Sequence, residues 1–312
     1  MDWVDPRMAA LLSQSAASPA VDLMTLPINE ARAAYEQKWK PWNANPRAMH
    51  EVRDFLIKGK HAPIRTRLYC PDAAARGTIL FLHGGGWMFG SIESHDALVR
   101  ELAFAANATL VSIEYRRSPE HPYPTAIEDT LEAVAFIMAG EVDGASAPIA
   151  VAGDSAGAAI ALSALLRLKA TPTKISAAAL FYGCYDLDFE TTSYQTLGDG
   201  RFGLSLIRMQ TFWRNYLGGN DGSPSDDAVP ARGNLAGLPP IFLHAAGLDV
   251  LMSDSLNLAE RLHREKVPFE LSLAPGLVHG HLQMVSKLEP SRPILQSAGR
   301  FLQRALGGAA AG

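Results

Sequence analysis

Apolar residues fall in short runs along this chain, and the spacing within and between the runs carries most of the fold information. Seven runs have the length and residue content of strands: 65–70, 78–83, 109–115, 148–153, 177–181, 241–247 and 269–274. Ile79-Leu80-Phe81-Leu82 and Ile149-Ala150-Val151-Ala152 are apolar at every position rather than every second one, the pattern of a strand covered on both faces. Helix-like segments stand among the runs at 97–106, 126–139, 156–168 and 253–265. Such an alternation predicts an α/β architecture: a mostly parallel sheet with right-handed crossovers and helices packed on it.

Two regions break the alternation. Residues 1–50 are helix-prone and Ala-rich and carry Trp3, Trp39 and Trp42, while residues 186–235 scatter Gly, Asp and Ser around an amphipathic stretch at 204–217. Both read as additions to the sheet core. The expected organisation is therefore an N-terminal helical segment (1–50), a first core part (51–185), an insertion (186–235) and a second core part (236–312). No internal repeat is visible, and the Gly-Gly-Ala-Ala-Ala-Gly tail after Leu306 is expected to fray.

Composition narrows the functional classes. The 312 residues are 48% hydrophobic, enough for a large core in a single α/β unit. With 28 Lys and Arg against 32 Asp and Glu, and no basic run, a nucleic-acid-binding face is not expected. Cys70 and Cys184 each end an apolar run and are expected as buried free thiols rather than a disulfide framework, which suits the cytoplasm. Asp2 and Asp5 stand where a signal peptide would be positive, and no stretch approaches the ~18 apolar residues of a membrane span.

Chemistry concentrates at two motifs. Gly153-Asp154-Ser155-Ala156-Gly157 follows an apolar strand and opens an Ala-rich helix. That context makes G-x-S-x-G a nucleophile elbow, in which a sharp strand-to-helix turn projects the Ser155 hydroxyl and the Ala156 N–H at the helix start stays unpaired. His83-Gly84-Gly85-Gly86-Trp87 follows the strand at 78–82. Consecutive glycines let backbone N–H groups turn inward, as acyl transfer requires for the oxygen that becomes negative. The expected donors are Gly85 and either Gly84 or Gly86, with Ala156 as the third. His83 is expected to orient the loop, and Asp154 to support it. A phosphate loop is disfavoured because its Gly-Lys-Ser/Thr signature is absent.

Taken together, His83–Trp87 and Gly153–Gly157 resemble the bacterial hormone-sensitive-lipase-like esterases. Tyr115-Arg116-Arg117-Ser118-Pro119-Glu120-His121 is similar to that family's Tyr-Arg-Leu-Ala-Pro-Glu-His segment, and the likeness spans about residues 50–290. The resemblance implies an α/β-hydrolase fold of about eight strands, a helical cap built from the two irregular regions, and no metal or organic cofactor. The sequence departs from the family at Arg117-Ser118, at Ala158, and at His281, where the family usually has Phe.

A serine hydroxyl needs a base, and in α/β-hydrolases the chain order is Ser, acid, His. Asp249 and His279 each follow an apolar strand and fit the family's positions, so Ser155, Asp249 and His279 are the expected catalytic set. Asp254 and His281 remain as competing acid and base. Trp87, Phe202, Phe212 and Trp213, with Phe89, Tyr185 and Leu204, are candidate pocket walls; for each the alternative is ordinary packing. The leading expectation is a carboxylesterase acting on small esters of short or medium chain, as monomer or homodimer. The alternatives are an amidase or acyltransferase using the same residues, or a non-catalytic ligand binder.

Overall fold

The computed structural model describes residues 3–16, 21–219 and 224–307. Its sheet is built from β1 (Glu51–Ile57), β2 (Ile64–Cys70), β3 (Thr78–Leu82), β4 (Thr109–Glu114), β5 (Ile149–Asp154), β6 (Ile175–Phe181), β7 (Ile241–Leu248) and β8 (Phe269–Val278), in the order β1-β2-β4-β3-β5-β6-β7-β8. The β1–β2 and β2–β4 pairs are antiparallel and the others parallel. Each strand expected from an apolar run is present, with no end moved by more than four residues.

The helices are α1 (Pro6–Ala16), α2 (Ile28–Trp39), α3 (Asp96–Ala106), α4 (Thr125–Met138), α5 (Ala156–Leu168), α6 (Thr192–Leu197), α7 (Leu206–Tyr216), α8 (Met252–Arg264) and α9 (Arg292–Gly307). Alternate residues of the central strands serve opposite layers. Ile79 and Phe81 of β3 pack with α3 and α9, while Leu80 and Leu82 pack on the side of α4, α5 and α8. All of β3 and β5 is buried, as uninterrupted apolar runs require.

Two elements lie outside the sequence expectation. Edge strand β1 carries Glu51, Arg53 and Asp54, leaves Val52 and Leu56 exposed, and has an apolar run of only three residues, Phe55-Leu56-Ile57. Helix α9 buries Leu295, Ala298, Phe301 and Leu302, an apolar face at helical spacing. Cys184 is buried as expected, but Cys70, near the sheet edge, is only half-buried; both are free. The tail expected to fray lies, apart from Gly307, outside the described residues. No helix among those described is long and apolar enough to cross a membrane.

Register assembles one rim. Leu82 of β3 stands opposite Gly153 of β5, and Leu248 of β7 opposite Val278 of β8. The segments that follow these strands, namely the glycine loop, Ser155, Asp249 and His279, therefore emerge side by side at the carboxyl ends of parallel strands.

Candidate active site

Ser155 sits at the turn from β5 to α5 with φ 53° and ψ −122°, a left-handed φ that a non-glycine residue seldom adopts. Its N–H donates to Phe181 O at 2.9 Å, which ties the turn to the end of β6. The tightness of the elbow explains Gly157: a Cβ there would lie 1.9 Å from Leu82 O.

From Ser155 a line of hydrogen bonds runs inward. The hydroxyl stands 2.9 Å from His279 Nε2, and His279 Nδ1 donates to Asp249 Oδ2 at 2.7 Å. Asp249 is 2% exposed, and its other oxygen accepts the Leu251 N–H at 2.9 Å. A carboxylate only accepts, so it fixes the tautomer: the proton is on Nδ1, and Nε2 is free to receive the serine proton. Tyr182, also at a positive φ of 38°, sets its ring edge-on to the His279 imidazole with centroids 5.0 Å apart. Sequence reasoning passed over Tyr182, whose only signal is its place directly after an apolar strand.

The competing residues are elsewhere engaged. His281 Nε2 lies 2.9 Å from His244 Nε2, and its Nδ1 lies 2.9 Å from Ser291 Oγ. Burial pushes the His244 imidazole down to about 3 and that of His281 well below the ordinary range. Asp254 accepts the N–H groups of Tyr185 and Asp186, and burial raises its carboxyl well above the carboxylate range.

The glycine loop is clamped at its base. Gly84 N–H donates to Asp154 Oδ1 at 2.8 Å, and His95 Nε2 stands 3.2 Å from the same oxygen. This corrects the expectation of an oxyanion donor at Gly84, whose N–H is already used. His83 Nδ1 donates to Gly84 O at 2.9 Å, its ring stacks on Tyr115 at 4.4 Å, and the Tyr115 hydroxyl donates to His83 O at 2.8 Å. Burial drives the His83 imidazole well below its ordinary range, so the ring is neutral. Among the described residues, the N–H groups of Gly85, Gly86 and Ala156 have no protein acceptor, and Gly85 and Gly86 line the cavity. Gly86 takes φ 61°, and a Cβ on it would lie 2.5 Å from the Phe212 ring.

Ser155 and His279 open into a cavity of about 280 Å³. Phe202 and Phe212 line it, as do Phe89 and Leu204. Trp87 and Trp213 do not, and that expectation is corrected. Trp87 is 1% exposed, stacked on Tyr216 at 4.3 Å and against Trp213 at 4.6 Å, so both indoles fill the contact between α7 and the core. Tyr185 is likewise fully buried and off the wall. Walls that sequence reasoning missed include Leu12, Leu23, Met24, Tyr35, Lys38 and Trp39, from α1, α2 and the segment between them, and Arg208 and Met209 of α7. Arg32 fastens α2 to the core by donating to Met88 O, Ser118 O and both carboxylate oxygens of Glu120.

Comparison with known proteins places this geometry. The family model for the alpha/beta hydrolase fold matches residues 79–283. An α/β-hydrolase enzyme from the metagenome of Lake Arreo, Spain, is 29% identical, with a TM-score of 0.91 over 98% of this chain and 99% of that one. A Pyrobaculum calidifontis esterase is 28% identical with a TM-score of 0.88, over 96% and 98% of the two chains. A thermostable esterase from Pseudomonas putida is 26% identical with a TM-score of 0.89, over 97% and 98%. Sheet order, elbow and glycine loop thus agree with a match that runs from β3 to beyond β8, and the chain belongs to the α/β-hydrolase family, in its hormone-sensitive-lipase-like group.

Proposed function

We propose that this chain is a carboxylesterase that cleaves short- to medium-chain esters through an acyl-enzyme on Ser155. The observation that carries the reading is the continuous line Asp249–His279–Ser155, with separations of 2.7 and 2.9 Å. Similarity to proteins described as esterases supports the choice of bond.

In the first half-reaction, Ser155 Oγ attacks the ester carbonyl carbon while His279 Nε2 takes the hydroxyl proton. Asp249 stabilises the imidazolium that forms. The carbonyl oxygen becomes negative and accepts hydrogen bonds from the N–H groups of Gly85, Gly86 and Ala156, each worth about 3 kcal/mol in the transition state. Collapse of the intermediate breaks the carbon–oxygen bond, and His279 passes its proton to the leaving alcohol. Water then repeats the sequence against the acyl group, releasing the acid and restoring Ser155.

The described parts of 1–50 and 186–235 act as a cap over this centre, since Leu12, Leu23, Met24, Tyr35, Lys38 and Trp39 on one side and Phe202, Leu204, Met209 and Phe212 on the other line the cavity. The cavity's 280 Å³ corresponds to about nine water volumes, room for the ester group and roughly six further heavy atoms. The test is hydrolysis of p-nitrophenyl acetate, butyrate, octanoate and dodecanoate by wild type and Ser155→Ala. Expected are an optimum near butyrate and a loss of several orders of magnitude in the variant. A folded wild type inactive on all four overturns the reading.

A further inference from the structure

The cavity wall beside Ser155 and His279 is apolar, but its outer part carries two cations. Lys38 at the end of α2 and Arg208 at the start of α7 both line the cavity, so two distant stretches of chain each deliver a positive charge to it. Arg208 is held in position: its Nη1 donates to Gly203 O at 3.2 Å, and its Nη2 stands 3.6 Å from Asp22 Oδ1, which also accepts the Met24 N–H. Asp22 does not line the cavity.

Lys38 has no carboxylate within ion-pair distance among the described residues, and its ammonium stands 5.4 Å from the Trp39 ring centroid. Lys38 is exposed to solvent and the Arg208 side chain is 41% exposed, so both cations stand at the cavity's open side. The one carboxylate among the described lining residues is Asp154, whose Oδ1 is already occupied by Gly84 N–H and His95. Two like charges lining one cavity without a shared counter-ion give it a positive field, and an anion bound between them gains from both, modestly because both are exposed.

Resting on the esterase reading, we propose that Lys38 and Arg208 select esters that bear a second, unesterified carboxylate. The reacting carbonyl lies at Ser155, and the free carboxylate lies at the cation pair. Two substrate types place the charge there: half-esters of dicarboxylic acids, with the charge on the acyl side, and esters of hydroxy-carboxylic acids, with the charge on the alcohol side.

Matched pairs test this. Monoethyl adipate is compared with its neutral terminal amide, and 4-acetoxybutanoate with 4-acetoxybutanamide, by kcat/KM at low salt. The expected result is an acid-to-amide ratio of at least about tenfold in one pair, and which pair shows it identifies the side of the ester that carries the charge. Lys38→Met and Arg208→Met should each cut that ratio about fivefold, and 0.5 M NaCl should cut it in the wild type. The wild-type ratio decides the matter even where a variant fails to fold. Ratios at or below one in both pairs, with the amides hydrolysed, overturn the proposal and leave the esterase reading intact. A folded wild type that cleaves neither these esters nor the p-nitrophenyl series overturns both.

Discussion

Gly157→Ala tests whether the elbow and the glycine loop are held together by direct backbone contact. The added Cβ would stand 1.9 Å from Leu82 O, 2.6 Å from Leu82 C and 2.7 Å from His83 O. These atoms end a fully buried strand paired on both sides, so no flexible side chain can swing away. A Cβ essentially never comes within 3.0 Å of another heavy atom, so the elbow and the end of β3 must part by about 1 Å. The gap opens between Ser155 on one side and Gly85 and Gly86 on the other. Misplacing reacting groups by 1 Å can cost about 10²-fold in rate, and overpacking a close-packed interior costs about 1–3 kcal/mol. The assay is kcat/KM on p-nitrophenyl butyrate alongside thermal unfolding. Gly140→Ala and Gly237→Ala serve as controls: both positions have left-handed φ but leave the Cβ in open space, so they lose stability without losing rate. A Gly157→Ala protein with wild-type Tm and kcat/KM refutes the contact argument.

Asp249→Asn should lower kcat by about 10³- to 10⁴-fold with little change in Tm, because an amide can hold His279 in the wrong tautomer; a loss under tenfold refutes the role of Asp249. Arg32→Met cuts the hydrogen bonds that fasten α2 to the core, so it should raise KM more than it lowers kcat, since α2 carries Tyr35, Lys38 and Trp39 into the wall. Histidines buried neutral lose stability as pH falls below their unfolded value near 6.5, because only the unfolded chain takes up the proton until the folded pKa is reached. His83, His244 and His281 all have depressed values, while Asp254, with a raised one, acts oppositely above about 3.8, so the net slope is their difference. His281→Phe removes one histidine and should flatten the dependence of unfolding free energy on pH just below 6 by up to about 1.4 kcal/mol per unit; an unchanged slope refutes the assignment of a buried, neutral His281.

The sheet was legible because burial on both faces writes itself into every position of β3 and β5. Edge strand β1 was not, since four of its seven residues are exposed and only Ile57 is buried, and its register comes from pairing with β2 alone. Helix α9 carried its apolar face at helical spacing, but its partner, α3, lies some two hundred residues earlier. Boundaries moved where apolar content and backbone geometry part company: β8 continues through Pro275 and Gly276 to Val278, past the last apolar run.

Chemistry and walls differ in legibility for a physical reason. Elbow and glycine loop are each one local backbone conformation, and a local conformation demands particular residues in consecutive positions. The cavity wall has no such constraint, because its residues meet only after 12–39 and 202–212 fold over the rim. Trp87 shows how proximity in sequence misleads: it follows the glycine loop, yet it has φ 59° and turns away to stack on Tyr216, while Phe89, two residues on, reaches the cavity and stacks on Tyr35 at 5.6 Å. The cavity wall of this protein is therefore set by contacts between remote segments. The Lys38–Arg208 pair is the sharpest instance: neither residue belongs to a motif, and each is an ordinary surface cation until the other is brought to the same cavity.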